Sequence, residues 1–432
     1  MKMLLKGGRV IDPSQNIDMV TDILVEDGKI SLIQKGIVLS GADSGGDLKT
    51  FNLKDMIVTP GLIDIHTHLR EPGCEYKETI LTGSEAAVAG GFTSIACMAN
   101  TYPVNDNRSV TEFILKQARL AAMANVYPIA ALSKGLDGKA LSEFSDLKDA
   151  GAVAFSDDGN PVADSGLMRH ALEYAYSFDM PVISHCEDRG LSSDGLMNEG
   201  FMSTQLGLPG IPGIAEDIMV TRDIQLAGFT KTRIHIAHVS TAGSVQAIRE
   251  AKSAGINVTA ETAPHYFTLT DEALRRFSTN FKMYPPLRNS NDVAAIKEGL
   301  RDGTIDAIAS DHAPHSSVEK DVEFEYAANG ITGLETSLPL CLKLVDEGNL
   351  TIDQLVEKLS VNPAKILKMP KGSLKTGSDA DITVIDMDKR WTVDTDKFRS
   401  KGHNCPFNGW DVKGKAVMTI VGGDVKYADL ER

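Results

Sequence analysis

His66 and His68 stand two residues apart in a stretch, residues 57–73, that reads Ile-Val-Thr-Pro-Gly-Leu-Ile-Asp-Ile-His-Thr-His-Leu-Arg-Glu-Pro-Gly. Leu62 to His66 is a short apolar run after a Pro-Gly breaker, the pattern of a buried strand. Side chains alternate along a strand, so the two imidazoles point the same way at its end and can hold one divalent ion. Taken alone, a His-x-His pair reads more simply as two packed, hydrogen-bonded histidines. Further acids and imidazoles decide otherwise, because each follows another strand-like run: Asp157-Asp158, His185, His238 and Asp311-His312. Imidazole plus carboxylate without thiolate suits zinc, with manganese or cobalt as alternatives. Six ligands are too many for one tetrahedral ion. They suit two ions ~3.5–4 Å apart that share a carboxylate and a hydroxide, an arrangement that brings the pKa of water to roughly 7.

The elements that must position these groups follow from the alternation of the chain beyond Pro60. Apolar runs at 62–66, 92–99, 126–132, 152–156, 181–185, 233–239, 256–262 and 305–310 are separated by segments with helical spacing, such as 110–123, 167–178, 245–254 and 292–300. Ala-Gly pairs at Ala89-Gly90, Ala150-Gly151 and Ala254-Gly255 mark helix ends just before strands. Eight strands alternating with helices predict a (β/α)8 TIM-type barrel over residues 60–370, with its active site at the C-terminal ends of the strands. An open doubly wound sheet is the other topology to weigh, but no G-x-G-x-x-G follows the first strand.

Both ends of the chain have a different texture. Residues 3–6, 9–11, 22–25 and 29–33 read as short strands, with Asp27-Gly28 as a hairpin turn, and 40–49 as an exposed loop. After helix-like segments at 336–347, 352–359 and from Asn362, strand texture returns at 381–385 and 416–421. Residues 1–59 and 371–432 are therefore expected to pair into one composite β-sandwich domain beside the barrel.

The composition narrows the class of partner. The chain has 432 residues, 42% of them hydrophobic, and a formal charge of −15. This argues against nucleic acid or an anionic membrane and for a small-molecule substrate. Five scattered cysteines without a C-x-x-C pair fit a reducing cytosol. Gly7-Gly8-Arg9 comes too early for a signal-peptide core, and no apolar run approaches membrane-spanning length. Of the remaining histidines, His235 has the opposite strand parity to His238 and is expected to face the helices. His170 and His403 read as surface or packing residues. His265 reads equally as a group supporting the ligands or as a turn residue, and the acidic run 319–325 reads as a solvated loop.

The motifs Ile63-Asp64-Ile65-His66-Thr67-His68-Leu69-Arg70-Glu71-Pro72-Gly73, Ser184-His185-Cys186-Glu187-Asp188, His238-Val239-Ser240-Thr241 and Ser310-Asp311-His312-Ala313-Pro314-His315 together resemble the type I dihydroorotases of the cyclic amidohydrolase superfamily. The resemblance spans nearly the whole chain. It implies a cytoplasmic, zinc-dependent enzyme of pyrimidine biosynthesis, with two Zn2+ per subunit, that interconverts N-carbamoyl-L-aspartate and L-dihydroorotate. It further implies a homo-oligomer, a dimer, and association with aspartate transcarbamoylase. By position it makes His66, His68 and Asp311 ligands of one metal, His185 and His238 ligands of the other, and Asp158 the bridge. Strand parity alone leaves Asp157 and Asp158 open. The mechanism the resemblance implies is that a hydroxide held by the metals would attack the ring carbonyl while Asp311 would carry its proton to the leaving nitrogen. Arg70, Asn100, Tyr284, His315, Asn329 and Gly330 are the implied substrate contacts, Arg70 as the planar partner of a carboxylate.

Three positions depart from the family pattern. Met98-Ala99-Asn100-Thr101 stands for Met-Pro-Asn-Thr, Tyr284-Pro285-Pro286-Leu287-Arg288 for Asn-Pro-Pro-Leu-Arg, and Asn329-Gly330 for Phe-Gly. A phenol cannot copy both polar ends of an amide, so either the ring is held differently or the substrate is a related cyclic amide. The alternatives are a hydantoinase, dihydropyrimidinase or allantoinase, and a non-catalytic scaffold for aspartate transcarbamoylase. The run 154–159, Ala-Phe-Ser-Asp-Asp-Gly, lacks the lysine that bridges metals in hydantoinases, and no ligand is missing as a scaffold would allow.

Overall fold

The computed structural model describes residues 2–38 and 48–430. Parallel strands form two arcs, Leu62–Thr67, Phe92–Cys97, Asn125–Ala130 and Ala154–Phe155, then Ile183–Ser184, Ile234–Ile236, Val258–Thr262 and Ala307–Ile308. Parallel bridges between Phe155 and Val182, and between Thr67 and His312, join the arcs at both seams and close the barrel. Each expected barrel run overlaps one of these strands. Several are shorter than expected, because the chain leaves ladder geometry where it begins to form the site.

The barrel interior is filled by Ile63, Ile65, Ala96, Met98, Ile129, Ala154, Ile183, Ala237, Ala307 and Ala309, with Ala364, Ile366, Leu367 and Met369 packed against them. The small residues leave room at the strand ends for large polar side chains. A separate apolar layer, including Ile95, Phe155, Val182, Ile236 and Ile308, packs the outer face of the strands against the helices. Helices Arg108–Ala121, Ser165–Ser177, Ala242–Ser253 and Ser290–Asp302 each begin at a side-chain cap, from Asn107, Asp164, Thr241 and Asn289. These caps satisfy amides that a helix leaves unpaired at its start. Gly151, in the left-handed region at φ 110°, closes the helix that ends at Ala150.

Strands from both ends of the chain share one sheet, eight-stranded among the described residues, in the order Asp424–Ala428, Asp411–Val421, Ile382–Thr392, Ile57–Pro60, Lys2–Asp12, Ile17–Glu26 and Lys29–Gln34, with Leu48–Asn52 also paired to Lys2–Asp12. The two runs read at 3–6 and 9–11 are one strand with a register shift between Leu5 and Gly8. Of the loop expected at 40–49, residues 40–47 lie outside those described, and Leu48 and Lys49 instead begin a strand that pairs in parallel with Lys2–Asp12. No described helix is long and apolar enough to cross a membrane.

Thr383 joins this sheet to the barrel. It is fully buried, its hydroxyl donates to the Gly91 carbonyl at 2.6 Å, and it accepts from the Leu62 amide at 3.2 Å where the first barrel strand starts. Thr383→Val keeps the shape but strands both backbone groups, so it is expected to lower unfolding free energy by roughly 1–3 kcal/mol, measured by urea titration. A loss below about 0.5 kcal/mol, the scatter of neutral surface changes, contradicts this role.

Candidate active site

The first and eighth strand ends are tied together before any ligand is considered. Asp64 accepts from the amide of His66 at 3.0 Å and from the amide of Ser310 at 3.1 Å, and the His68 amide donates to the His312 carbonyl at 2.8 Å. The register along the first strand slips by one residue between Asp64 and Thr67. This bulge lets His66 turn inward although Ile63 and Ile65 already face the barrel interior. His238 and Asp311 both lie beyond strand ends at positive φ, 35° and 49°. Backbone in this sparsely populated region persists where the surroundings fix it.

Asp158 is the centre of the cluster. Its Oδ2 lies 3.5 Å from Nε2 of both His66 and His68, and its Oδ1 lies 3.6 Å from His185 Nδ1 and 3.3 Å from His238 Nε2. Asp311 closes the first group, with Oδ1 3.3 Å from His68 Nε2 and 3.6 Å from His66 Nε2. The donor atoms of His66, His68 and Asp158 lie within 4.8 Å of one another, as do those of Asp158, His185 and His238. Nε2 of His66 is buried without a hydrogen-bond partner, as expected of an atom aimed at a cation. The electrostatics agree. Burial drives the Asp158 carboxyl up, but the charge of His66 and the hydrogen bonds of His185, His238 and His66 outweigh it and leave it well below the usual range. Burial likewise opposes ionisation of Asp311, and His68, His66 and His238 bring it to about 2. His185, despite burial, is held up at about 9 by Asp158 and Glu187. Carboxylates that stabilise imidazolium here favour a divalent cation in place of the protons.

All six residues expected as ligands therefore meet at one place, and of the two acids after strand four it is Asp158 that faces the imidazoles. Asp157 turns away and accepts from the Ser133 amide at 2.8 Å and from its hydroxyl. His312 also turns away. Its Nε2 lies 3.3 Å from Glu78, and its Nδ1 accepts from the Gly333 amide. The expectation for His235 is corrected: it lies on the inner side, with Nδ1 2.9 Å from Thr259 Oγ1 and Nε2 3.4 Å from Glu261. Parity failed because the left-handed turn at His238 breaks the alternation on which it relied. His170 and His403 are exposed. His265 is buried against the Tyr266 ring, its centroid 4.1 Å away, and burial lowers its pKa to about 4.

Spacing did not reveal Glu261. Its Oε1 lies 2.7 Å from His66 Nδ1, so it fixes the ring with Nε2 toward Asp158. A lone acid in the buried strand Val258–Thr262 was the available signal, since a buried charge requires a partner. Glu187 was also missed as a functional group. It lies 3.6 Å from His185 Nε2 and accepts from the Tyr284 hydroxyl.

Beside the cluster opens a cavity of about 560 Å³ lined by Arg70, Asn100, Tyr284, His315, Asn329 and Gly330 as well as His68, Asp158, His185, His238 and Asp311. Asn100 has a further task, its Oδ1 accepting from His68 Nδ1 at 2.9 Å. Arg70 Nε donates to the Pro314 carbonyl at 3.3 Å, and its guanidinium lies 3.4 Å from His315 Nε2. His315 Nε2 donates to the Asn329 carbonyl at 2.8 Å. Gly330 has φ 131°, and a Cβ there would meet Ala313 Cβ at 2.7 Å, so only glycine fits beside the cavity.

Comparison with known proteins places the chain in a family. A dihydro-orotase-like family model matches residues 55–244, and an amidohydrolase family model matches residues 219–427. A dihydroorotase of Syntrophus aciditrophicus is 61% identical over 429 residues, covering 99% of this chain and 100% of its own. One from Geobacter metallireducens is 58% identical over 427 residues, with 99% and 100% covered. The chain belongs to the dihydroorotase family of the amidohydrolases. Among solved structures, the L-hydantoinase (dihydropyrimidinase) of Arthrobacter aurescens superimposes with a TM-score of 0.87 at 27% identity, over 99% of this chain and 96% of that one. The dihydropyrimidinase of Brevibacillus agri, at 24% identity, shares the fold with a TM-score of 0.86 over 99% and 95%. The amidohydrolase membership and the two buried groups around Asp158 make this a divalent-metal site.

Glu261→Gln is expected to weaken divalent-metal affinity by ~10–100-fold, the usual cost of removing a carboxylate that orients a ligand histidine. Competition against a chromophoric chelator measures it, and unchanged affinity contradicts the role.

Proposed function

We infer that this chain is a dihydroorotase, which opens the ring of L-dihydroorotate to N-carbamoyl-L-aspartate and closes it again. One contrast carries the reading: full-length relatives named dihydroorotase are 54–61% identical to the chain, whereas the hydantoinases and dihydropyrimidinases of like fold are 22–27% identical. We assign His66, His68 and Asp311 to one zinc ion, His185 and His238 to a second, and Asp158 to both. The donor set of imidazoles and carboxylates without thiolate supports zinc.

When bound, the ions polarise the ring carbonyl and lower the pKa of water to about 7. The remaining work falls to side chains. Asp311 receives the proton of the attacking water and delivers it to the ring nitrogen as the carbonyl carbon–nitrogen bond breaks. In ring closure it takes the proton back from the carbamoyl nitrogen. Three neighbouring imidazoles, those of His68, His66 and His238, hold its carboxylate low in pKa, so it stays ionised between turnovers. Arg70 receives the substrate carboxylate, since its planar fork suits that group and its anchors, Pro314 and His315, belong to the same loop as Asp311. Asn100, Asn329, Gly330 and Tyr284 complete the wall around the ring. Cytoplasmic location is supported by five free cysteines, four of them buried. The proposal extends to a homodimer and to association with aspartate transcarbamoylase, which light scattering and co-purification test.

The purified chain loaded with zinc is expected to hydrolyse dihydroorotate with kcat/KM at least ~100-fold above that for 5,6-dihydrouracil, hydantoin or allantoin, because a site built for a carboxylate rejects analogues that lack it. A preference for hydantoin or dihydrouracil overturns the reading. Asp311→Asn is expected to retain most of the metal and to lower kcat by ~100-fold or more, the range for losing a general acid–base group. Near-normal turnover refutes the proton-carrying role.

A further inference from the structure

Tyr284 stands in the cavity wall with its ring nearly parallel to that of His185, 11° between planes and centroids 6.2 Å apart. Its hydroxyl donates to Glu187. The same carboxylate lies 3.6 Å from Nε2 of His185, whose Nδ1 faces Asp158. The loop bearing the tyrosine is fixed from below. Arg288 is buried and donates to Ser240 Oγ, Asn198 Oδ1 and the Ile211 carbonyl, each at 3.1 Å, while the Pro285 carbonyl accepts from Tyr266 at 2.7 Å.

These contacts set the polarity of the phenol. Glu187 is the acceptor in this contact, so the single hydroxyl proton of Tyr284 is committed to it. What the oxygen then offers the cavity is its lone pairs. We propose that Glu187 is a positioning residue that makes Tyr284 an obligate hydrogen-bond acceptor, so that the site selects cyclic ureides presenting a ring N–H at this wall. The inference rests on the dihydroorotase reading above and adds to it a specificity element that lies outside the groups assigned to metal. It also gives Glu187 a role distinct from its contact with His185.

The test uses the zinc-loaded full chain with dihydroorotate and its two N-methyl isomers. Turnover of unmodified dihydroorotate by the natural protein reports on the function itself, and the changes among variants report on the inference. The natural protein should reject one N-methyl isomer by roughly 100-fold or more in kcat/KM, as a site that pairs a polar hydrogen rejects its absence. Tyr284→Phe should raise KM for dihydroorotate roughly three- to tenfold, the worth of one net hydrogen bond, and weaken that rejection. Glu187→Gln opens no space, yet its amide can donate to the phenol and turn the hydroxyl proton toward the ring, so it should raise KM similarly. The decisive readout is the double variant. In the Tyr284→Phe background, Glu187→Gln should leave KM within about twofold. Should Glu187→Gln raise KM equally in both backgrounds, or lower only kcat through His185, the assignment is overturned. Unchanged KM and unchanged isomer rejection in Tyr284→Phe overturn it equally.

Discussion

A single buried carboxylate, that of Asp158, divides its two oxygens between two pairs of imidazoles. So many like groups in so small a volume repel or fail to pair unless positive charge stands among them, and burial makes any mismatch expensive. The rest of the structure can be read as the means of holding that arrangement. Asp64 binds the ends of the first and eighth strands to each other, Glu261 and Asn100 fix the rings of His66 and His68, and Ser133 keeps Asp157 out of the way.

The barrel supplies what such a cluster needs. Parallel strands end together at one rim, so residues distant in sequence meet there without long connections. Alanines in the interior, at positions 96, 154, 237, 307 and 309, leave volume beneath the rim. Backbone in the left-handed region at His238 and Asp311 then aims side chains that regular strands would direct elsewhere. Local strain is tolerated because the surrounding hydrogen bonds over-determine it.

Much of this was legible in the sequence, and the exceptions have physical causes. Alternating apolar runs located the eight barrel strands, since each buried strand must be apolar on both faces. The expected ligands converge because each follows such a run. Pattern could not choose between Asp157 and Asp158, and it misplaced His235, because alternation holds only within a strand and the chain turns at both places. Leu48 and Lys49 looked like the tail of a polar loop, yet they pair with the first strand, a long-range contact that local composition does not encode. Glu261 and Glu187 went unnoticed because a carboxylate that orients a histidine has no spacing of its own. The phenol at Tyr284, first visible only as a departure, gains its meaning from Glu187, which sits 97 residues away in sequence.

Anomalous diffraction from crystals of the zinc-loaded protein, recorded on both sides of the zinc absorption edge, tests the central claim most directly. Two peaks ~3.5–4 Å apart are expected, one among His66, His68 and Asp311 and one between His185 and His238, with Asp158 between them. A single peak, or peaks that Asp158 does not touch, contradicts the account.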